Sequence, residues 1–263
     1  MLKDITLGQY FPGNSIAHKL DPRTKILLVT LYIIALFSAK GWMGYAVMAV
    51  TLAACVKVSH VGLRALVRGL KPLVFIIAFT GILNMFFTPD THYLWEWGIL
   101  RVSVKGIENA LFMVIRIMLL VMGTFLMTYT TSPIRLTDGL ESLLNPLKKI
   151  HVPVHELAMM MAIALRFIPT LIEETDKIMS AQKARGADFD SGNIFQKAKA
   201  LVPILVPLFI SAFRRADELA TAMECRCYHG GEGRTKLHVL KYQRRDYVAL
   251  AGGAVILALV VVL

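Results

Sequence analysis

The chain has 263 residues, 56% of them hydrophobic, and a mean hydropathy of +0.59, which excludes an ordinary soluble domain. Its net charge of +11 argues little for nucleic acid, because the basic residues cluster beside the apolar runs, where they orient spans and attract anionic headgroups. Three cysteines give no disulfide framework: Cys55 lies in an apolar run, and Cys225 and Cys227 are too close to bridge and fit a reduced, cytoplasmic setting.

The first 25 residues are polar and contain Pro12, Gly13 and Pro22, so no cleavable signal peptide is visible and the first span is expected to be its own signal. Membrane helices are expected over 26–39, 42–58, 72–88, 106–131 and 246–263. Gly41 and Trp42 mark a tight turn that makes the first two an antiparallel hairpin. Lys3, Lys19, Arg23 and Lys25 precede the first span, and Lys57, Arg64, Arg68 and Lys71 fill the 57–71 connection. The alternate connections are poorer. One holds Lys40; the other balances Arg101 and Lys105 against Asp90 and Glu96, with Trp95 and Trp97 suited to an interfacial belt. The amino terminus is therefore placed inside the cell.

Residues 132–245 do not read as a loop. Ser132-Pro133 and Val152-Pro153 are helix starts, and three helices are expected, over 134–149, 154–186 and 194–228. Pro169 in the second, and Pro203 and Pro207 in the third, should kink them. Leu157 to Ile168 and Ala200 to Phe213 are almost wholly apolar, whereas 173–190 and 214–226 are mixed-charge. A rival topology sends the two apolar stretches across the membrane. Each is about a dozen residues, short for a span, and the rival would put Arg185 and Arg226 on opposite sides. Long bent helices ending in the cytoplasm are preferred. The chain thus divides into a membrane domain, 1–131, a cytoplasmic coupling-helix domain, 132–245, and a final membrane helix, 246–263.

Catalytic motifs fail. His155-Glu156 begins a zinc-protease pattern, but position 159 is methionine, so the second ligand is missing. Gly230-Gly231-Glu232-Gly233-Arg234-Thr235 lacks the lysine and spacing of a phosphate loop. Cys225, Cys227, His229 and His238 match no common zinc spacing. Arg116, inside an apolar run, either faces a partner or an internal carboxylate such as Glu108, or snorkels to the interface. The methionines 113, 118, 122, 127 and 159–161 fit either core packing or an adaptable binding surface. Most specific are Ala184-Arg185-Gly186 and Cys225-Arg226-Cys227. A cation at a helix carboxyl end answers the macrodipole, and Gly186 suits a helix terminator. Small neighbours also leave each guanidinium free to enter a groove on another protein, and that docking reading explains why both long helices end alike.

These residues carry a resemblance. Gly8-Gln9-Tyr10-Phe11-Pro12-Gly13-Asn14-Ser15, then His18-Lys19-Leu20-Asp21-Pro22-Arg23-Thr24-Lys25, is similar to the amino-terminal signature of the T component of energy-coupling factor transporters, ABC-type importers of vitamins and micronutrients. Leu136 to Glu141, and His155 through Pro169, resemble the coupling region of that family, and Ala181-Gln182-Lys183-Ala184-Arg185-Gly186 matches its first arginine motif. The second motif departs: Cys227 stands where glycine is usual, so helix termination is expected to be deferred to Gly230-Gly231.

The resemblance implies a non-catalytic, all-α polytopic membrane protein with five spans and long, crossing cytoplasmic helices. It implies two cytoplasmic ABC-type ATPases docked at Ala184, Arg185, Gly186, Cys225, Arg226 and Cys227. It also implies one small membrane-embedded substrate-binding subunit, which Met159, Met160, Leu165, Pro203 and Pro207 on the apolar halves are expected to touch. ATP would be bound by the partners and no cofactor by this chain. The amino-terminal match favours a coupling module shared by several substrate subunits. The competing classes are a self-sufficient carrier or channel, which needs an intramembrane site that the spans scarcely offer beyond Arg116 and Asn84, and a membrane enzyme.

Overall fold

Asp21 followed by Pro22 sets the start of the first helix: the carboxylate accepts the Arg23 amide at 2.9 Å, and proline occupies a first-turn position that needs no donor. The computed structural model describes residues 10–88, 93–97, 100–187, 189, 194–230 and 239–263. Lys3, Gly8, Gln9, Asp90, His238 and the glycine-rich 231–235 lie outside these residues, as do the side chains of Trp95, Glu96, Trp97 and Arg101.

Helix α1 (Pro22–Ser38) is followed by α2 (Gly41–Ser59) and α3 (Leu63–Leu70), which passes through the tight turn Lys71–Leu73 into α4 (Val74–Phe87). A two-stranded antiparallel ribbon, β1 (Tyr93–Trp97) with β2 (Leu100–Ser103), leads into α5 (Val104–Thr130). Then come α6 (Pro133–Leu144), a 3₁₀ stretch Asn145–Ile150, α7 (Val154–Ala184), α8 (Ile194–Glu224) and α9 (Arg244–Val262). The all-α class stands, with the ribbon as an addition that the sequence reading lacked. That reading also took 57–71 as a plain connection, where α3 forms with Leu66 and Leu70 buried and Arg64 and Arg68 exposed.

Among the described residues five segments are long and apolar enough to cross a membrane: Gly41–Ser59, Leu63–Phe87, Val104–Thr130, Val154–Ala184 and Arg244–Val262. Four of them contain or overlap expected spans. The expected first span is the shorter α1, of 17 residues, while α7 qualifies on the strength of its apolar half. The chain is a multi-pass membrane protein.

It forms two compact units, one of Gly8–Ser142 with Leu240–Leu263, the other within Leu143–Val239. In the first, α1, α2, α5 and α9 enclose Leu36, Met48, Tyr45, Leu52, Leu119 and Val260. Lipid is as apolar as these side chains, so close packing rather than water exclusion holds them. At Gly123 the packing is tight: a Cβ there would sit 2.5 Å from the Tyr32 ring, whose hydroxyl donates to the Leu119 carbonyl at 3.0 Å. Arg116 donates to the Tyr45 hydroxyl at 2.8 Å and lies 5.7 Å from the centres of the Phe37 and Tyr45 rings. Among the described residues its hydrogen-bond partner is this tyrosine, on a neighbouring helix, rather than Glu108.

Buried polar groups fasten one end of this bundle. Lys25, 6% exposed, donates to the Thr130 carbonyl at 2.8 Å and the Thr131 hydroxyl at 3.0 Å, placing a cation against the carboxyl end of α5. Asp246, 2% exposed, accepts the Asp21 amide at 2.9 Å and the Gln243 amide at 2.8 Å, so one carboxylate begins α9 and anchors the start of α1. Arg23 pairs with Asp21 at 3.1 Å, reaches Ser142 on α6 at 3.2 Å and stacks 4.1 Å over the Tyr242 ring. Asp246→Ala would orphan two backbone donors, and the unfolded form should gain by about 2–3 kcal/mol. We expect a thermal midpoint lowered by several degrees in detergent, with Asp246→Asn intermediate; an unchanged midpoint would remove this fastening from the account.

Candidate functional site

The second unit is built on α7 and α8, each 31 residues long and each continuing through its prolines. A proline has no amide hydrogen, so Pro207 leaves the Pro203 carbonyl without its helical donor. The Gln182 side chain of α7 supplies one at 3.3 Å. Eight residues back along α7, Glu174 accepts from the Ser211 hydroxyl and from Arg215 at 3.0 Å. Going from Glu174 to Gln182 on α7 corresponds to going from Ser211 back to Pro203 on α8, so the helices run antiparallel through these contacts. Their carboxyl ends point opposite ways, which sets Arg185 and Arg226 on the order of 30 Å apart or more, from the helical rise per residue.

The two ends are closed by the same backbone pattern. On α7 the Gly186 amide donates to Lys183 at 3.0 Å and the Ala187 amide to Gln182 at 3.0 Å, with Gly186 left-handed at φ +87. On α8 the Cys227 amide donates to Glu224 at 2.8 Å and the Tyr228 amide to Met223 at 3.0 Å, with Cys227 left-handed at φ +55. Both are Schellman caps, in which a left-handed residue lets two amides turn back onto the last open carbonyls. Arg185 and Arg226 hold the same position, one residue before the turn. Termination is therefore not deferred to Gly230-Gly231: Cys227 performs it, at the conformational cost of a side chain in the left-handed region.

Ala184, Arg185, Gly186, Cys225, Arg226 and Cys227 are all exposed, and among the described residues neither arginine has an ion-pair partner. Cys225 and Cys227 are free thiols. On the apolar halves, Met160 and Pro203 are exposed, while Met159, Leu165 and Pro207 are half-buried. The methionines divide: Met122 packs against the core of the first unit, whereas Met160 and Met161 are 55% and 42% exposed. Phe209 and Phe213 on α8 are more open still, at 61% and 69%. Such apolar exposure marks a surface that meets lipid or another protein. The fastening roles of Gln182, Glu174, Ser211 and Arg215 come from the structure; the sequence signal for Gln182 is the spacing of four between Pro203 and Pro207, which predicts an open carbonyl at residue 203.

Comparison with known proteins points one way. The pattern of the CbiQ family, described as cobalt transport protein, matches residues 13–237. The chain's relatives include proteins named energy-coupling factor transporter transmembrane protein EcfT. That of Ruminiclostridium cellulolyticum is 55% identical over 94% of this chain and 92% of its own. That of Clostridium kluyveri is 56% identical over 95% and 93%. That of Bacillus subtilis is 46% identical over 98% of both.

The paired caps make opposite predictions for two substitutions. Cys227→Gly relieves left-handed strain of about 1 kcal/mol and should slow hydrogen exchange at the Tyr228 amide about fivefold. Gly186→Ala meets nothing within 4 Å and so adds only the conformational cost, speeding exchange at Ala187 by a similar factor. Unchanged protection in both variants would contradict the shared cap.

Proposed function

The chain belongs to this family of energy-coupling factor transporter transmembrane components, and from that premise we propose that it couples two ATP-driven ABC-type ATPases to a membrane-embedded substrate-binding subunit. The observation that carries the reading is the repeated cap. Two exposed arginines, each flanked by small residues and each one residue before a left-handed turn, sit at opposite ends of one fastened helix pair. Two equivalent cations far apart suit two sockets of like shape on two related partners. The guanidinium fork bonds carboxylates and carbonyls there, while Ala184, Gly186, Cys225 and Cys227 let the helix ends approach closely.

Between the sockets the pair acts as one body, because Glu174 with Ser211 and Arg215, and Gln182 with Pro203, fix the helices to each other. ATP-driven approach of the two ATPases would turn this body. The apolar halves, with Met160 and Pro203 exposed and Met159, Leu165 and Pro207 half-buried, would pass the turn to the substrate-binding subunit. In this reading the chain performs no chemistry, binds no cofactor and leaves ATP to its partners. The intramembrane cation Arg116 is engaged by Tyr45 and Phe37, which favours a packing role over a transport site. The amino terminus lies in the cytoplasm of a bacterial or archaeal cell, and the cargo, a vitamin or micronutrient, is chosen by the other membrane subunit. The domain division at 131 and 245 follows the same logic, with the coupling helices on the ATPase side.

An arginine central to an interface contributes roughly 2–4 kcal/mol, so Arg185→Glu or Arg226→Glu should weaken ATPase capture by about thirtyfold or more, and the double variant should copurify without ATPases. Assembly and uptake preserved in the double variant would sink the docking role. Glu174→Ala tests transmission separately: ATPases should remain bound and hydrolyse ATP while substrate uptake falls, and unimpaired uptake would show that the pair need not be fastened there.

A further inference from the structure

Helix α3 presents Arg64 and Arg68 on one flank, and Lys71 follows less than one turn later. All three are exposed, and among the described residues none is paired with a carboxylate. They rim a groove of about 880 Å³ between α3, α4 and α5. It is lined by Val67 and Val74, 59% and 56% exposed, and by Ile77, Ala78, Val114 and Met118. An unpaired cationic rim on an apolar trough calls for a molecule with negative charge at one end and hydrocarbon at the other.

We propose that this groove is a binding site for one anionic phospholipid, its phosphate held by Arg64, Arg68 and Lys71 and an acyl chain lying along Val74, Ile77 and Met118. Charge complementarity selects the occupant. A zwitterionic lipid would satisfy the trough but not three unneutralised cations, and a protein helix would have to bring carboxylates to one end only. The site is formed within one unit of the chain, apart from the arginine caps, and stands whether or not the coupling function does. Held there, the lipid would brace α3 against α4 and α5 at the turn Lys71–Leu73.

The test is native mass spectrometry of the full chain in micelles doped with phosphatidylglycerol or phosphatidylcholine. Each cation beside an anionic headgroup is worth about fivefold in affinity. The combined Arg64→Gln, Arg68→Gln, Lys71→Gln variant should therefore lose phosphatidylglycerol affinity by about a hundredfold, with its thermal midpoint kept. A control with Lys241→Gln, Arg244→Gln and Arg245→Gln removes equal charge from residues that do not line the groove, and it should bind as the wild type does. Equal retention of the two lipids by the wild type, or equal losses in the two variants, would overturn the site. Displacement by inorganic phosphate alone would reduce it to an anion site and overturn the lipid. A photoreactive residue in place of Val67 in native membranes should give lipid adducts; a protein adduct would hand the groove to a partner chain.

Discussion

A helix end that meets hydrocarbon has to be closed by the chain itself. Hydrocarbon offers the open amides and carbonyls nothing, and each one left orphaned in it costs as much as a lost hydrogen bond or more. That constraint accounts for the residues at the boundaries. Asp21, Ser103 and Asp246 take up amino-terminal amides, while Lys25 lies against the carboxyl end of α5. It joins helices as well as ending them, since Asp246 closes α9 with one oxygen and holds the start of α1 with the other. At the carboxyl ends of α7 and α8 backbone turns take up the last carbonyls without side chains, and this leaves Arg185 and Arg226 unused by their own helices.

The apolar runs made the helices and their order readable, because a span must be continuous and its hydropathy survives any arrangement of neighbours. Pro133, Pro153 and Gly186 marked real boundaries for local steric reasons. Contacts between distant positions left no such trace. Nothing near Arg116 in the chain points to Tyr45, 71 positions away. Lys25 and Arg23 stand in sequence among the charges that orient the first span, yet Lys25 is buried under Thr130 and Arg23 is bound to Asp21. The ribbon escaped because its strands are five and four residues long, too short for a periodic pattern to stand out. Helix α3 escaped because its charges drew attention to topology and away from the leucines buried beneath them.

Both arginine motifs were legible, but the geometry of the second was not. Reading Cys227 as a departure from glycine suggested a longer helix. The backbone bonds are the same at both ends, and the chain accepts the left-handed cysteine to keep them so. What persists between the two motifs is thus the direction in which the arginine leaves its helix, a property of hydrogen bonding more than of residue type.

The fastening of α7 to α8 is off-centre. Arg185 lies three residues beyond Gln182, about 5 Å of helix, whereas Arg226 lies eleven residues beyond Arg215, about 16 Å. The pair is a lever with unequal arms. A small rotation about the fastened section carries Arg226 about two to four times as far as Arg185, and a force applied at Arg226 has the correspondingly greater leverage. On the proposed docking, partners pulling alike on these arginines would do unlike work, the one on the long arm supplying most of the turning.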